Sequence, residues 1–417
     1  MAPRFWAGKR VLVTGISGFV GPYLAHELLE QGAEVYGLMR PRADRTLSRG
    51  LQDPTLSRAI QFREGALEEL FSLLRVIDEA QPDAIFHLGA QSFVKMSFEN
   101  PLLFAQVNCL GTANLLEAAR LRAPQATVVF AGSSEQYGLV FVNADQYEAA
   151  CKKYGGVFPA PERFPELPVR ETNPMRPMSP YGASKIYGDQ LVRNYVCSFG
   201  LRGIVSRAFN HEGGGRGITF VTSQMAHQAV RLAMHEVDAI SLGDVNSFRD
   251  WSHVRDIVRG YLLLAEHGQA GEVYNQGSMR TNSVLTYMLL ALEEVGWSVR
   301  GLRTLRGTKS VDRPADIRPL RLWGMEFDAT RIDELMLTEG LAFDLSDEGL
   351  LVSTSRGDVR ITFDPRRFRP SEVPILLCDA SRSQSLGFRS RATLRDIVRD
   401  QIEYYRIPQN RQGYSLF

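Results

Sequence analysis

Short apolar runs alternate with amphipathic stretches through the first half of the chain. Residues 10–14 form an apolar run that ends at Gly15, which is the pattern of a buried parallel strand. In residues 19–31, Phe19, Leu24 and Leu28 fall on one helical stripe. The same alternation predicts strands at 34–38, 83–88 and 127–130, and helices at 68–80 and 101–122. We therefore expect an α/β fold with a doubly wound parallel sheet and helices on both of its faces.

The second half has a mixed pattern that predicts a smaller α/β lobe. Helices are expected at 222–235, 253–267, 282–295 and 391–405. Short alternating runs between 301 and 362 predict hairpins, whereas 139–178, rich in proline, charged and aromatic residues, predicts a surface excursion. We expect a first domain at 1–207, to which a strand and helix from 237–275 return. The C-terminal lobe would comprise 208–236 and 276–417, with an insertion at about 303–360.

Composition is that of a soluble globular protein. The chain has 417 residues, of which 44% are hydrophobic and 23% charged, and a mean hydropathy of −0.16. Its 48 basic and 47 acidic residues nearly cancel, so no nucleic-acid partner is expected, and no apolar run has the length of a membrane span. Four scattered cysteines predict reduced thiols in a cytoplasmic protein. His211, Glu212 and His253 lack metal-binding spacing, so no metal site is predicted.

The glycine-rich turn after the first strand predicts a dinucleotide site. Gly15 and Gly18 belong to a G-x-x-G-x-x-G run between a strand and a helix, where glycines let the backbone approach a pyrophosphate at the helix N-terminus. This is the arrangement of a Rossmann domain. Arg40 ends the second strand where NAD enzymes place a carboxylate, and a guanidinium there suits the 2′-phosphate of NADP. Arg42 and Arg45 would assist, although solvated loop arginines would give the same pattern.

Tyr181 and Lys185 are the most informative pair further along the chain. They lie four residues apart and therefore share one face of a helix. On that face the ammonium can lower the pKa of the phenol, so that the phenolate accepts a proton near neutral pH. Beside a dinucleotide, such a base predicts a nicotinamide enzyme.

Sequence blocks spread over most of the chain resemble a known family. They are 88–98 (LGAQSFVKMSF), 133–135 (SSE), 179–185 (SPYGASK), 209–212 (FNHE), 220–222 (FVT), 249–253 (RDWSH) and 368–373 (FRPSEV). The chain resembles the extended short-chain dehydrogenases that act on nucleotide sugars, most closely the GDP-mannose 4,6-dehydratases. It also shares blocks with GDP-4-keto-6-deoxy-mannose reductase. The resemblance covers nearly everything except about 139–168 and 301–362.

The resemblance implies an internal redox cycle on a GDP-hexose, most closely GDP-mannose. Tyr181, assisted by Lys185, would remove the C4 hydroxyl proton while hydride passes to NADP, and Ser133 would orient the C4 oxygen. Glu135 would then abstract the C5 proton and help to expel the C6 hydroxyl as water, after which the hydride returns to C6. If the carboxylate at 135 only caps the next turn, an NADPH-dependent reductase or epimerase of a nucleotide sugar is the alternative. A non-catalytic scaffold is a third alternative, against which the intact Ser133, Tyr181 and Lys185 argue.

The resemblance also implies the contacts of both ligands. Cofactor contacts would come from Gly15, Ser17, Gly18, Phe19, Val20, Arg40, Leu88, Ala90, Tyr181 and Lys185, and substrate contacts from Ser92, Asn210, Val221, Arg249, Arg369 and Glu372. Two departures bear on them. The stretch 65–67 lacks the aspartate that the family places near the adenine. Ser223-Gln224 stands where the dehydratases carry a basic residue, so the contact to the substrate phosphate would be missing unless Arg216 or Arg249 compensates. We expect a homodimer or homotetramer.

Overall fold

The computed structural model describes residues 4–41, 47–368 and 373–411. Its strands are β1 (Arg10–Thr14), β2 (Glu34–Met39), β3 (Gln61–Glu64), β4 (Ala84–His87), β5 (Thr127–Ala131), β6 (Arg202–Ala208), β7 (Asn210–Glu212), β8 (Ala239–Leu242), β9 (Phe248–Arg249), β10 (Trp251–His253), β11 (Val273–Gln276), β12 (Asn282–Ser283), β13 (Val299–Thr304), β14 (Ser310–Asp312), β15 (Ile317–Leu322), β16 (Met325–Thr330), β17 (Leu350–Thr354) and β18 (Gly357–Phe363). Its helices are α1 (Val20–Glu30), α2 (Pro54–Ala59), α3 (Leu70–Ala80), α4 (Val94–Glu99), α5 (Pro101–Phe104), α6 (Gly111–Arg122), α7 (Ala144–Tyr154), α8 (Pro180–Phe199), α9 (Val221–Ala233), α10 (Val254–His267), α11 (Val284–Glu294), α12 (Arg331–Thr338), α13 (Ser381–Ser385), α14 (Leu394–Arg406) and α15 (Pro408–Arg411). None of the helices in these ranges is both long and apolar enough to cross a membrane.

Seven parallel strands of the described chain form the larger sheet, in the order β11-β6-β5-β4-β1-β2-β3. Strand β1 pairs with β2 on one side and with β4 on the other, so the winding reverses there. Val11 and Val13 of this strand are fully buried, as the apolar run predicts. A reversal of this kind opens a crevice at the carboxyl edge of the sheet. The prediction of a doubly wound α/β fold is confirmed.

The helix predicted at 101–122 is interrupted. A π-helical turn, Ala105–Leu110, separates α5 from α6. In this turn the side chain of Asn108 bonds the Gln91 backbone and, at 2.9 Å, the Ser184 hydroxyl of α8. Such turns occur often at functional sites, and hydrophobic periodicity does not reveal them because the apolar stripe continues through the turn.

A second sheet of the described chain has five strands in the order β14-β13-β17-β18-β8. Antiparallel pairing joins β13 to β14 and β17 to β18, as the alternating runs between 301 and 362 predict. Within 237–275, α10 and β11 return to the first sheet, where β11 pairs with β6. Strand β8 does not return: it pairs in parallel with β18, where Ile240 and Ile361 are fully buried side by side. The expected insertion is therefore continuous with the sheet of the C-terminal half.

The segment 139–178 is a surface excursion only in part. Helix α7 has no buried residue, but Leu139 and Leu167 are buried. Arg176 and Glu166 form a buried ion pair at 2.9 Å, and Arg176 also donates to Leu139 O. The prediction missed this anchoring because the two charged residues, read as solvent-facing, neutralise each other inside the core.

Candidate active site

A cleft of about 1250 Å³ lies at the carboxyl edge of the seven-stranded sheet. Every predicted site residue within the described ranges lines it: Gly15, Ser17, Gly18, Phe19, Val20, Arg40, Leu88, Ala90, Ser92, Ser133, Glu135, Tyr181, Lys185, Asn210, Val221 and Arg249. Arg42, Arg45, Arg369 and Glu372 lie outside the described residues. The fold therefore brings together predicted cofactor, catalytic and substrate residues from both halves of the chain.

The glycine-rich turn fits a dinucleotide. Gly15 has φ +72°, and a Cβ there would lie 2.8 Å from the backbone of Leu88 and Gly89, so a larger residue does not fit. A Cβ at Gly21 would collide with the Ile16 carbonyl. The turn leads into the N-terminus of α1, whose free N–H groups suit a pyrophosphate.

Helix α8 brings the predicted base to the end of β5. The Ser179 side chain caps the helix by accepting from Gly182 N at 3.0 Å. Tyr181 and Lys185 are both buried, and Lys185 Nζ donates to Ala131 O at 2.7 Å while lying 5.9 Å from the centre of the Tyr181 ring. The Ser133 hydroxyl lies beside the Tyr181 phenol, and both line the cleft. The hydroxyl, the phenol and the ammonium thus meet in the cleft.

Burial controls the protonation of Tyr181 and Lys185. Burial raises the pKa of Tyr181 to about 12, outweighing the opposite effect of the neighbouring Ser133 hydroxyl, and the charge of Glu135 raises it further. Burial also lowers the pKa of Lys185 to about 8. The expected titration of the phenol near neutral pH is therefore not found in the free protein, because desolvation dominates. Deprotonating the phenol near neutral pH requires additional positive charge in the cleft.

Glu135 lies in a 3₁₀ turn, Ser134–Gln136, directly after β5. Ser133 Oγ accepts from Glu135 N at 3.2 Å, and Gln136 Oε1 accepts from Ser133 N at 2.8 Å. Ser133 and Gln136 therefore supply the cap of this turn. The Glu135 side chain is not needed for it and lines the cleft, with the residue only 9% exposed.

Arg40 is ion-paired at the cofactor end of the cleft. Its Nη2 lies 2.7 Å from Glu68 Oε1, and half of its side chain is exposed. Glu68 directly follows the stretch 65–67, which lacks the family's aspartate. Sequence reasoning missed Glu68 because its approach to Arg40 depends on the pairing of β2 with β3.

Asn210 and Arg249 line the part of the cleft that the second half of the chain forms. Arg249 is buried, and its Nη1 donates to Phe248 O at 2.8 Å and to Val373 O at 2.7 Å. Asn210 Oδ1 is buried without a hydrogen-bond partner among the described residues. Because buried acceptors are normally satisfied, this atom suits a donor such as a sugar hydroxyl.

Two further guanidinium groups line the cleft. The Arg216 guanidinium lies 3.6 Å from the centre of the Phe220 ring and 3.5 Å from the Glu212 carboxylate. Arg367 hydrogen-bonds the side chain of Gln224. Sequence reasoning named Arg216 as a possible substitute for the missing basic residue. It missed Arg367, which approaches Gln224 only through the pairing of β8 with β18.

A glycine-rich dinucleotide turn, a Tyr–Lys pair and a serine hydroxyl at one sheet edge define a nicotinamide-dependent enzyme of the short-chain dehydrogenase class. The model of the NAD dependent epimerase/dehydratase family matches residues 11–277, and that of GDP-mannose 4,6 dehydratase matches residues 163–401. The chain belongs to the GDP-mannose 4,6-dehydratase family within this class.

Individual relatives agree with this assignment. A GDP-mannose 4,6-dehydratase of Yersinia enterocolitica is 32% identical over 401 residues, which cover 94% of this chain and 93% of that protein. The Homo sapiens GDP-mannose 4,6 dehydratase is 28% identical over 399 residues, covering 94% of this chain and 90% of that protein.

Solved structures share the fold. RMD from Pseudomonas aeruginosa complexed with NADPH has a TM-score of 0.63 and 23% identity, with 95% of this chain and 98% of that chain covered. The UDP-glucose 4-epimerase of Thermus thermophilus in complex with NAD has a TM-score of 0.66 and 21% identity, with 95% and 99% covered. At these identities the likeness concerns the fold alone.

Proposed function

We propose that this protein is an NADP-dependent enzyme that converts GDP-mannose to GDP-4-keto-6-deoxy-mannose and water. The observation that carries the proposal is the carboxylate of Glu135 in the cleft, close enough to Tyr181 for its charge to raise the pKa of the phenol. Reduction or epimerisation at C4 needs only the hydroxyl, the phenol and the ammonium, whereas elimination also needs a base for the C5 proton. The names of the family and its relatives support GDP-mannose as the substrate.

Each residue of the reaction centre has its own role in the proposed dehydration. The turn with Gly15 and Gly18 would hold NADP, which would supply a hydride acceptor for C4 of the hexose and a hydride donor for C6. Tyr181 Oη accepts the proton of the C4 hydroxyl, and the hydroxyl of Ser133, which lies beside the phenol, orients the C4 oxygen. Lys185, held by Ala131 O, contributes positive charge beside Tyr181. The C4 ketone acidifies C5–H, so the Glu135 carboxylate can remove that proton and pass a proton to the departing C6 hydroxyl.

Arg40 supports NADP as the cofactor, and its replacement tests this choice. A charged contact to the 2′-phosphate contributes roughly 1.5–3 kcal/mol, so Arg40→Ala should reduce the preference for NADP over NAD by about 10- to 100-fold. Because Glu68 competes with the 2′-phosphate for the Arg40 guanidinium, we expect the decrease in the preference for NADP to lie toward the lower end of this range. Calorimetric titration with both dinucleotides measures the preference. Arg75→Ala, which removes an exposed arginine of α3 paired with Glu79, is the matched control. Equal affinity of the wild type for NAD and NADP would contradict the assignment.

Incubation with GDP-mannose and catalytic NADP, without added reductant, tests the reaction itself. Dehydration predicts complete conversion to the 4-keto-6-deoxy product, with no net change in the cofactor. UDP-glucose under the same conditions is the control for the nucleotide and the hexose. Stoichiometric consumption of NADPH with a 4-keto substrate would indicate a reductase, and a GDP-hexose of inverted C4 configuration would indicate an epimerase.

We also propose that different parts of the chain bind the cofactor and the GDP-sugar. Residues 1–207, with α10 and β11, would hold the cofactor, whereas 208–236 and 276–417 would hold the GDP-sugar. The 303–360 insertion would form the wall of its nucleotide end, because β18 leads directly to Asp364 and Arg367 in the cleft. A cytoplasmic homodimer or homotetramer completes the proposal. Light scattering would measure the oligomeric state of the protein.

A further inference from the structure

We propose that Gln136 is a positioning residue that holds the two halves of the reaction centre at a fixed separation, and that Asp189 orients its amide. One half is the turn after β5, with Ser133 and Glu135. The other half is α8, with Tyr181 and Lys185. The inference deepens the proposed function and rests on it for the roles of these four side chains.

Gln136 bridges the two halves from behind the cleft. It is fully buried, its Oε1 accepts from Ser133 N at 2.8 Å, and its Nε2 donates to Asp189 Oδ2 at 2.9 Å. Asp189 lies four residues beyond Lys185 and therefore on the same face of α8. One side chain thus ties the cap of the Ser133 turn to the helix that carries Tyr181 and Lys185.

Asp189 determines which way the Gln136 amide points. The Asp189 carboxylate is fully buried and accepts from Arg207 Nε at 2.8 Å. Arg207 is itself held by Tyr137 Oη and by Glu171 O, each at 3.1 Å. As the partner of a guanidinium, the carboxylate offers only acceptors, so the amide must direct its NH₂ toward Asp189. Its oxygen then faces the Ser133 N–H, and the reversed amide would lose both bonds.

A displacement of the Gln136 side chain would move the reacting groups through Ser133. Ser133 Oγ accepts from Glu135 N and lines the same cleft as Tyr181, so a rotation of the Ser133 backbone moves its hydroxyl relative to the base. Neither Gln136 nor Asp189 lines the cleft, and both therefore act through other side chains. A displacement of about 1 Å at a reacting group can lower a rate by roughly 10²-fold.

Gln136→Met removes both bonds with little change in side-chain volume. We expect kcat to fall by about 10²-fold, while KM for GDP-mannose and the calorimetric affinity for NADP stay close to wild type. Gln401→Met is the matched control, because Gln401 is equally buried, does not line the cleft, and bonds Tyr287, Gly213 and Thr222 but none of the four reacting side chains. The control should lose thermal stability but keep kcat.

Asp189→Asn tests whether Asp189 acts by orienting the Gln136 amide or by its negative charge. Both Gln136 and Arg207 donate to the same oxygen, Oδ2, so an asparagine oxygen there can accept both bonds while Arg207 loses its counter-charge. We expect this variant to keep kcat and lose thermal stability, whereas Asp189→Leu should lose kcat as Gln136→Met does. If kcat instead follows thermal stability across the variants, the bridge is only structural and the inference is wrong.

Two further measurements cover the cases in which Gln136→Met does not fold or GDP-mannose is not the substrate. If Gln136→Met does not fold, Gln136→Asn retains an amide that is one methylene too short to join both partners, and the same loss of kcat at unchanged KM is expected. If the wild type turns over a nucleotide sugar other than GDP-mannose, the proposed substrate is wrong. The kcat comparison is then made with that sugar and still decides the role of Gln136.

Discussion

Tyr181→Phe is expected to lower the rate of C4 oxidation by about 10²- to 10⁴-fold. Phenylalanine keeps the ring packed edge-on against Phe104, at 6.3 Å between centroids, but has no oxygen to accept the C4 hydroxyl proton. Adding GDP-mannose to the NADP-loaded wild type should produce the near-ultraviolet absorbance of reduced nicotinamide. The variant should show no such absorbance, although its calorimetric affinity for GDP-mannose should be retained.

Tyr187 provides the control on the same helix. Its side chain is exposed, with the residue 44% accessible, so Tyr187→Phe makes the same chemical change outside the cleft and should leave C4 oxidation intact. If Tyr181→Phe oxidises C4 at the wild-type rate, another group is the base and the role assigned to Tyr181 is wrong.

Glu135→Gln should separate oxidation from elimination. The amide has the shape of the carboxylate but cannot take the C5 proton, so overall dehydration should fall by about 10²- to 10⁴-fold while C4 oxidation proceeds. In deuterated water, the wild type should place deuterium at C5 and the variant should not, as mass spectrometry of the recovered sugar nucleotide would reveal. Normal turnover by Glu135→Gln would contradict dehydration and favour a reductase or an epimerase.

The same substitution should change the pH dependence of the first step. The negative charge of Glu135 raises the pKa of Tyr181, so removing that charge should lower this pKa. The phenolate would then be present at lower pH, and the acid limb of the C4 oxidation profile should move toward lower pH. A shift in the opposite direction would mean that Glu135 does not act on Tyr181 through its charge.

The sequence predicted the parts of the site that depend on local geometry. A glycine is needed at position 15 because φ is positive there and because the backbone that follows β4 lies close by. The strand–turn–helix pattern of the sequence already indicates both requirements. Tyr181 and Lys185 share a helix face because of their spacing alone. These features need only a correct assignment of the strand or helix in which they lie.

The sequence did not predict interactions between distant segments. The Gln136–Asp189 bond and the Arg40–Glu68 ion pair each join two elements whose register is set by the sheet. The protonation of Tyr181 was also mispredicted, since spacing shows the neighbouring ammonium but not the amount of solvent removed from the phenol. The pairing of β8 with β18 was likewise not predicted, since it joins segments more than 100 residues apart.

The position of β11 has a consequence for the growing polypeptide. β11 covers the outer edge of β6, but β7 to β10 must be synthesised first. During that interval the outer edge of β6 carries unpaired N–H and C=O groups, which can pair with another nascent chain. The order of elements along the chain therefore creates a period of exposure to edge-to-edge association, which begins when β6 is made and ends when β11 docks beside it.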